Sequence, residues 1–299
     1  MSSLEVSFCG KRFKNPLVLA AGVLGAGFEG LSGTIAGGAG GVTTKSCNVG
    51  GRKGFTEPTV AVLDDYVLNA VGLDNPGVEE MGRVVTRLKL DFDAPVIASV
   101  FGSSIEDFSR AARVMSIAGS DFVELDVSCP HAGGAYEEDW SSPELVKELV
   151  VKVKSEVQTQ LIVKLPPGSH VAVLAQACED AGADALNCVN TAGGLRIDIE
   201  TGKPLLSNKF GGVSGKALFP MALRAVHEAS QTVTIPIIGT GGVSSGEQAI
   251  EMLMAGASLV GIGSAAMTEG AQVFSKIDKQ MRQWLALKKY DSISEIKKI

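Results

Sequence analysis

The sequence predicts an α/β protein, a (β/α)8 barrel with an N-terminal β-hairpin. Eight short, nearly continuous apolar runs recur along the chain, as parallel strands covered on both faces do; a half-exposed sheet would alternate. Helical patterns alternate with these runs over roughly 250 residues, the span of such a barrel. The residues with chemistry to offer stand at the C-terminal ends of the runs, where these barrels carry their active sites. An open doubly wound sheet is the alternative, and it leaves those strand-end residues less well explained.

The hairpin comes first, from Leu4–Phe8 and Lys11–Phe13 around Cys9-Gly10. Strands are predicted at Leu17–Ala21, Gly41–Lys45, Val96–Val100, Phe122–Val127, Leu161–Leu165, Ala185–Asn190, Pro236–Gly239 and Leu259–Gly263. Helices fit Phe28–Ala36, Val78–Leu88, Ser104–Ala118, a segment opened by Ser142-Pro143-Glu144, Val171–Ala181, Pro220–Ser230, Ser245–Ala255 and Ala271–Leu287. Ser104 is placed to cap its helix, with Ile105, Phe108, Ala112 and Met115 at helical spacing and Gly119 past the end. Ser142 and Pro143 supply a cap and an N1 proline, and Gly256 a C-terminal stop. No linker or break in composition divides residues 1–299, so a single domain is expected.

Composition narrows the function. The net charge of −6 excludes the clustered basic surface that nucleic acid requires. No run reaches the ~18 apolar residues of a membrane span, and the N-terminus lacks a signal pattern, so a cytoplasmic location is expected. Cys9, Cys47, Cys129, Cys178 and Cys188 are far apart and odd in number, which argues against a disulfide framework and against a metal centre.

Cys129, in Ser128-Cys129-Pro130-His131, follows the run Phe122–Val127, and Pro130 with Gly133-Gly134 ends any regular structure. A thiol there lines a cleft more readily than it fills a core, although most lone cysteines are small core hydrophobes. Gly22 follows the first strand, and Lys45-Ser46 end the second. Lys164 ends the fifth and Asn190-Thr191 the sixth. Gly241-Gly242 and Gly263-Ser264 follow the seventh and eighth, where backbone N–H groups close on phosphate in barrels of this kind. Two lysines on one rim point to an anionic ligand, against the bland reading of snorkelling stems. The stretch Leu68–Gly77 is a folded turn able to reach over the mouth. His170 and His227 read as structural, and Trp140 as a lid or a partner contact.

With these residues in place the chain resembles the dihydroorotate dehydrogenases of the cytosolic, cysteine-using class. The matching stretches run in order. They are Asn15-Pro16-Leu17, Thr44-Lys45-Ser46, Asn69 with Gly72-Leu73 and Asn75-Pro76-Gly77, Ser128-Cys129-Pro130 and Val163-Lys164-Leu165. Val189-Asn190-Thr191, Gly211–Gly215, Gly239–Gly242 and Met254–Ala257 follow. The resemblance implies FMN, oxidation of dihydroorotate to orotate, and Cys129 as the catalytic base. It implies pyrimidine-binding roles for Lys45, Asn69, Gly72, Leu73, Asp126, His131, Asn190 and Thr191. It places Ala21, Gly22, Lys45, Ser46, Asp126, Lys164 and Val189 at the flavin, with Gly215, Gly241, Gly242, Gly263 and Ser264 around its phosphate. It further implies a homodimer, and a partner subunit carrying FAD and a [2Fe–2S] cluster that passes electrons to NAD, with fumarate as the alternative acceptor.

Three positions depart from that pattern. Asp126 and His131 stand where these enzymes carry Asn, and Ala21 where Ser is common. An ionised carboxylate only accepts hydrogen bonds and repels an anionic substrate, so Asp126→Asn is expected to tighten orotate. A dihydropyrimidine without the carboxylate is the alternative substrate, and a non-catalytic phosphate-binding barrel the alternative function.

Overall fold

A computed structural model describes residues 2–24, 27–128, 140–168 and 170–299. Eight parallel strands close into a barrel in strict chain order. They are β1 (Leu17–Leu19), β2 (Gly41–Thr43), β3 (Val96–Val100), β4 (Phe122–Asp126), β5 (Gln160–Leu165), β6 (Ala185–Cys188), β7 (Ile237–Thr240) and β8 (Leu259–Ile262). Pairing of β8 with β1, Val260 opposite Leu17, completes the ring.

Around it lie α1 (Phe28–Ala36), α2 (Val78–Asp91), α3 (Ile105–Ile117), α4 (Pro143–Glu156), α5 (Val171–Asp180), α6 (Phe219–Ser230) and α7 (Gly246–Met254). After β8 come α8 (Ser264–Glu269) and α9 (Gln272–Lys288). The caps expected at Ser104 and Ser142 are present, and Ser245 adds a third: the three accept from the N–H of Asp107, Leu145 and Gln248, filling one of the orphan donors at each helix start. The short α8 was not expected. Its six residues give too brief a periodic signal to separate from the strand before it.

The hairpin Val6–Phe8 with Lys11–Phe13 plugs the N-terminal end of the barrel. Phe8 and Phe13 pack on Phe122 of β4 at centroid separations of 5.6 and 6.2 Å, with Ile97, Ile162, Ala185, Ile238 and Leu259 around them. At the other end a four-stranded antiparallel sheet covers the mouth, formed by Val60–Val62, Val67–Asn69, Ala192–Leu195 and Phe210–Ser214. The sequence expectation held only a turn there. The strands are short, and glycines at 193, 194, 211 and 212 dilute their pattern. Several barrel strands also stop early. Lys45 lies beyond β2, and Asn190 beyond β6, as rim residues of loops.

Candidate active site

A β-strand alternates its side chains, so the lumen takes every second residue of each barrel strand. On five strands that alternation steps from apolar to polar. Ile97 gives way to Ser99, Phe122 to Glu124, Ile162 to Lys164, Ala185 to Asn187 and Ile238 to Thr240. The polar layer is bonded throughout. Thr240 Oγ1 donates to Asn187 Oδ1 at 2.7 Å, and Asn187 Nδ2 donates to Glu124 Oε2 at 2.7 Å. Ser99 Oγ lies 3.0 Å from Glu124 Oε1 and 2.9 Å from Ser46 Oγ. Glu124 is fully buried, and burial pushes its carboxyl pKa upward against the pull of Lys164 and Asn187.

Asp126 is the next inward residue of β4 and the hub of the site. Its Oδ2 takes the Ser46 hydroxyl at 3.3 Å and lies 3.7 Å from Lys164 Nζ. Its Oδ1 accepts from the Ser128 N–H at 3.3 Å, the Ser128 hydroxyl at 2.8 Å and Asn190 Nδ2 at 3.2 Å. Asn190 Nδ2 also reaches Ser128 Oγ at 2.9 Å, while its Oδ1 accepts the Thr191 N–H at 2.7 Å. The Ser46 and Ser128 hydroxyls, the Ser128 N–H and the Asn190 amide all donate to Asp126, and Lys164 is a cation, a set that a carboxylate meets with two accepting oxygens and an amide with one. The sequence expectation gave Asp126 no partners; in the fold Asn190 and Ser128 donate to it, and Lys164 Nζ stands 3.7 Å away.

One cleft gathers most of the predicted residues. Ala21, Gly22, Lys45, Ser46, Asp126, Lys164 and Val189 line it. So do Asn69, Gly72, Leu73, Asn190 and Thr191. Gly241, Gly242, Gly263 and Ser264 form its far wall. Gly215 is not on the lining. It lies behind that wall, where a side chain on Gly242 would run into its carbonyl oxygen. Cys129 and His131 lie outside the described residues, as do all of residues 129–139. Ser128, the residue before them, bonds Asp126 and Asn190 beside the cleft.

Local chemistry explains the shape of the rim. Gly72 (φ 75°) and Leu73 (φ 58°) turn the chain under the cap, and Asn75 locks the turn by donating to the Leu73 carbonyl at 2.8 Å and accepting the Gly77 N–H at 2.9 Å. Asn69, in the cap strand Val67–Asn69, donates to the Gly212 carbonyl at 3.3 Å. Lys45 bends back over the end of β1, since a Cβ on Gly22 would lie 3.8 Å from its Nζ. Trp140 is neither lid nor surface. It is 4% exposed and packs edge-to-face on Phe108 at 5.0 Å, part of the core just before α4. The sequence reading missed Ser99, Glu124, Asn187 and Thr240. A charged or amide residue inside a run otherwise read as buried was the available signal.

Comparison with known proteins follows this geometry. A family model described as dihydroorotate dehydrogenase matches residues 3–285. The chain is 41% identical over 297 residues to the dihydroorotate dehydrogenase B (NAD(+)) catalytic subunit of Methanothermobacter thermautotrophicus, covering 98% of this chain and 97% of that one. It is 42% identical over 294 residues to the subunit of the same name from Pyrococcus abyssi, with coverage of 98% and 97%. The crystal structure of a dihydroorotate dehydrogenase from Eimeria tenella in complex with ferulenol superposes with a TM-score of 0.84 at 18% identity, covering 99% of this chain and 88% of that one, a likeness of fold.

Proposed function

Because the chain belongs to the dihydroorotate dehydrogenase family, we propose that it oxidises dihydroorotate to orotate in pyrimidine synthesis, with FMN in the cleft described above and Cys129 as the base. The observation that carries this reading is the convergence of Lys45, Asp126, Lys164 and Asn190 on one mouth, at the point where Ser128 leads the chain into Cys129.

The residues present fit the cofactor. Ala20, Ala21 and Gly22 make one wall of the cleft nearly free of side chains, as a flat ring requires, and Gly241, Gly242 and Gly263 present backbone at the other end. A Cβ on Gly263 would meet only Ala20 and Val23, at 3.6 and 4.0 Å, so a side chain there would reach the cleft without a clash inside the chain. Gly22, Lys45, Ser46, Lys164 and Val189 would hold the ring, and Gly241, Gly242, Gly263 and Ser264 the phosphate, with Gly215 supporting the wall behind it. When bound, FMN supplies the acceptor for the C6 hydride.

The chain supplies the rest. Asn69, Asn190 and Thr191 hold the pyrimidine edge, and the backbone at Gly72-Leu73 faces its carboxylate. Lys45 and Lys164 place positive charge where electron density gathers. Cys129 Sγ, as thiolate, takes the C5 proton, so proton and hydride leave from adjacent carbons. The paired Asp126 leaves the dihydroorotate carboxylate acceptable.

Electrons leave through a second subunit. Among the described residues no cluster of His, Cys, Asp or Glu is built to hold a metal. The relatives are catalytic subunits of NAD(+) enzymes, which supports a partner subunit that takes the electrons on to NAD; FAD and a [2Fe–2S] cluster on that partner are what the family resemblance implies. A homodimer would cover the exposed apolar residues of the cap, where Leu195 and Phe210 stand opposite each other in the sheet and Val62 and Ile199 are also bare. No helix among the described residues is long and apolar enough to cross a membrane, consistent with a cytoplasmic pool. The test is anaerobic. Purified protein carries flavin absorption, and added dihydroorotate bleaches it while orotate appears in equal amount. A colourless protein, or one bleached by dihydrouracil and not by dihydroorotate, overturns the reading.

A further inference from the structure

The lumen holds a row of four oxygens, and the two at its inner end, on Glu124 and Ser99, have no part in the chemistry proposed above. Glu124 Oε1, Ser99 Oγ, Ser46 Oγ and Asp126 Oδ2 follow one another at 3.0, 2.9 and 3.3 Å. Three contacts need three protons. The two serine hydroxyls hold one each. The third proton therefore sits on a carboxyl group at one end of the row.

The surroundings choose the end. Asp126 accepts from the Ser128 N–H and O–H and from the Asn190 amide and stands 3.7 Å from the Lys164 ammonium, donors and a cation that favour its charged form. Glu124 has Asn187 on its second oxygen and no solvent, at 0% exposure. Among the described residues the charged groups acting on Glu124 are Lys164 on β5 and Asp126 on its own strand, and that ammonium stands in contact with Asp126. A second carboxylate charge in this layer would be buried with no cation of its own, the costly arrangement.

We propose that Glu124 is protonated at neutral pH and heads a one-way donor chain, Glu124 to Ser99 to Ser46 to Asp126, that keeps Asp126 ionised. Glu124 is thus a positioning residue. It acts through two serines on the carboxylate that orients Asn190 and Ser128 beside Cys129. That consequence rests on the function proposed above; the protonation state does not.

The test is infrared difference spectroscopy on the purified full chain at neutral pH, with thermal unfolding followed across pH. Wild type should show the carbonyl band of a protonated carboxylic acid, shifting in D2O, and Glu124→Gln should lose it. Ser99→Ala removes the acceptor of the Glu124 proton, so the band should persist at altered frequency; this arm serves if Glu124→Gln folds poorly. Unfolding gives a second reading. A carboxyl held protonated in the fold ionises on unfolding above its ordinary pKa near 4.5, so wild-type stability falls as pH rises from there toward the folded value. Glutamine cannot ionise, and the melting-temperature difference, Glu124→Gln minus wild type, should grow more positive over that window. Absence of the acid band, its survival in Glu124→Gln, an unmoved band in Ser99→Ala, or a difference that stays flat or falls with pH overturns the proposal.

Discussion

The two ends of the barrel are built from the same eight strands and differ by one step of the pleat. At the N-terminal end Ile97, Phe122, Ile162, Ala185 and Ile238 close on Phe8 and Phe13, with no polar side chain in the cluster. Two residues further along each of those strands the lumen holds Ser99, Glu124, Lys164, Asn187 and Thr240. The apolar end is close-packed and gains from every buried methylene. The polar end is stable only because each donor meets an acceptor, and it leaves room above for a ligand. Stability and chemistry are thus separated along the strand axis, and substitutions at the two ends should fail in different ways.

The largest effect is expected at the open end. Cys129→Ala should keep its flavin and slow its bleaching by dihydroorotate about 10²–10⁴-fold, the usual range for loss of a general base, as read by anaerobic stopped flow. A near-wild-type rate would remove Cys129 from the mechanism. The closed end should show the opposite phenotype. Phe122→Ala should cost about 3–5 kcal/mol in denaturant unfolding while the folded fraction turns over normally. A drop in turnover with little change in stability would mean the two ends are not independent.

Gly263→Asp probes the far wall of the cleft. Its Cβ has room, whereas one on Gly242 would strike the Gly215 carbonyl and confuse loss of ligand with loss of fold. The added carboxylate should yield folded, flavin-poor protein, judged by absorbance ratio and circular dichroism; full flavin occupancy would move the phosphate site elsewhere. Asp126→Asn replaces an acceptor among donors with a group that is half donor. One charge-assisted hydrogen bond is worth roughly 1.5–3 kcal/mol, so orotate affinity, followed by titration, should weaken about 10- to 100-fold. Tighter binding would restore the picture of a repelling carboxylate.

The smallest effect compares thiols. Burial pushes Cys9 at the plug, Cys47 beside the rim and Cys188 on β6 up to about 12. Iodoacetamide at mildly alkaline pH should therefore modify one residue first, Cys129, by peptide mass mapping, since only a thiolate reacts. Faster labelling of Cys9 would show that the plug opens.

The sequence by itself determined the barrel, because continuous apolar runs, capping serines and interrupting glycines are local signals that every strand and helix repeats. It also marked strand-end residues that the cleft gathers, since lysine and asparagine stand out at the ends of apolar runs; the paired glycines have a packing reason as well, because a Cβ on Gly241 or Gly242 would strike Ala222 or the Gly215 carbonyl. The cap sheet was illegible because glycines dilute the pattern of two of its short strands, and because Asn69 pairs with Gly212, 143 residues away, where no local pattern records the partner. The sign of Asp126 was illegible for a related reason. Read along the chain, it is an acid beside an anionic substrate. Only closure of the barrel brings Ser46, Lys164 and Asn190 from three other strand ends onto its two oxygens, and in a site shielded from water those partners, not the residue type, decide what a charge does.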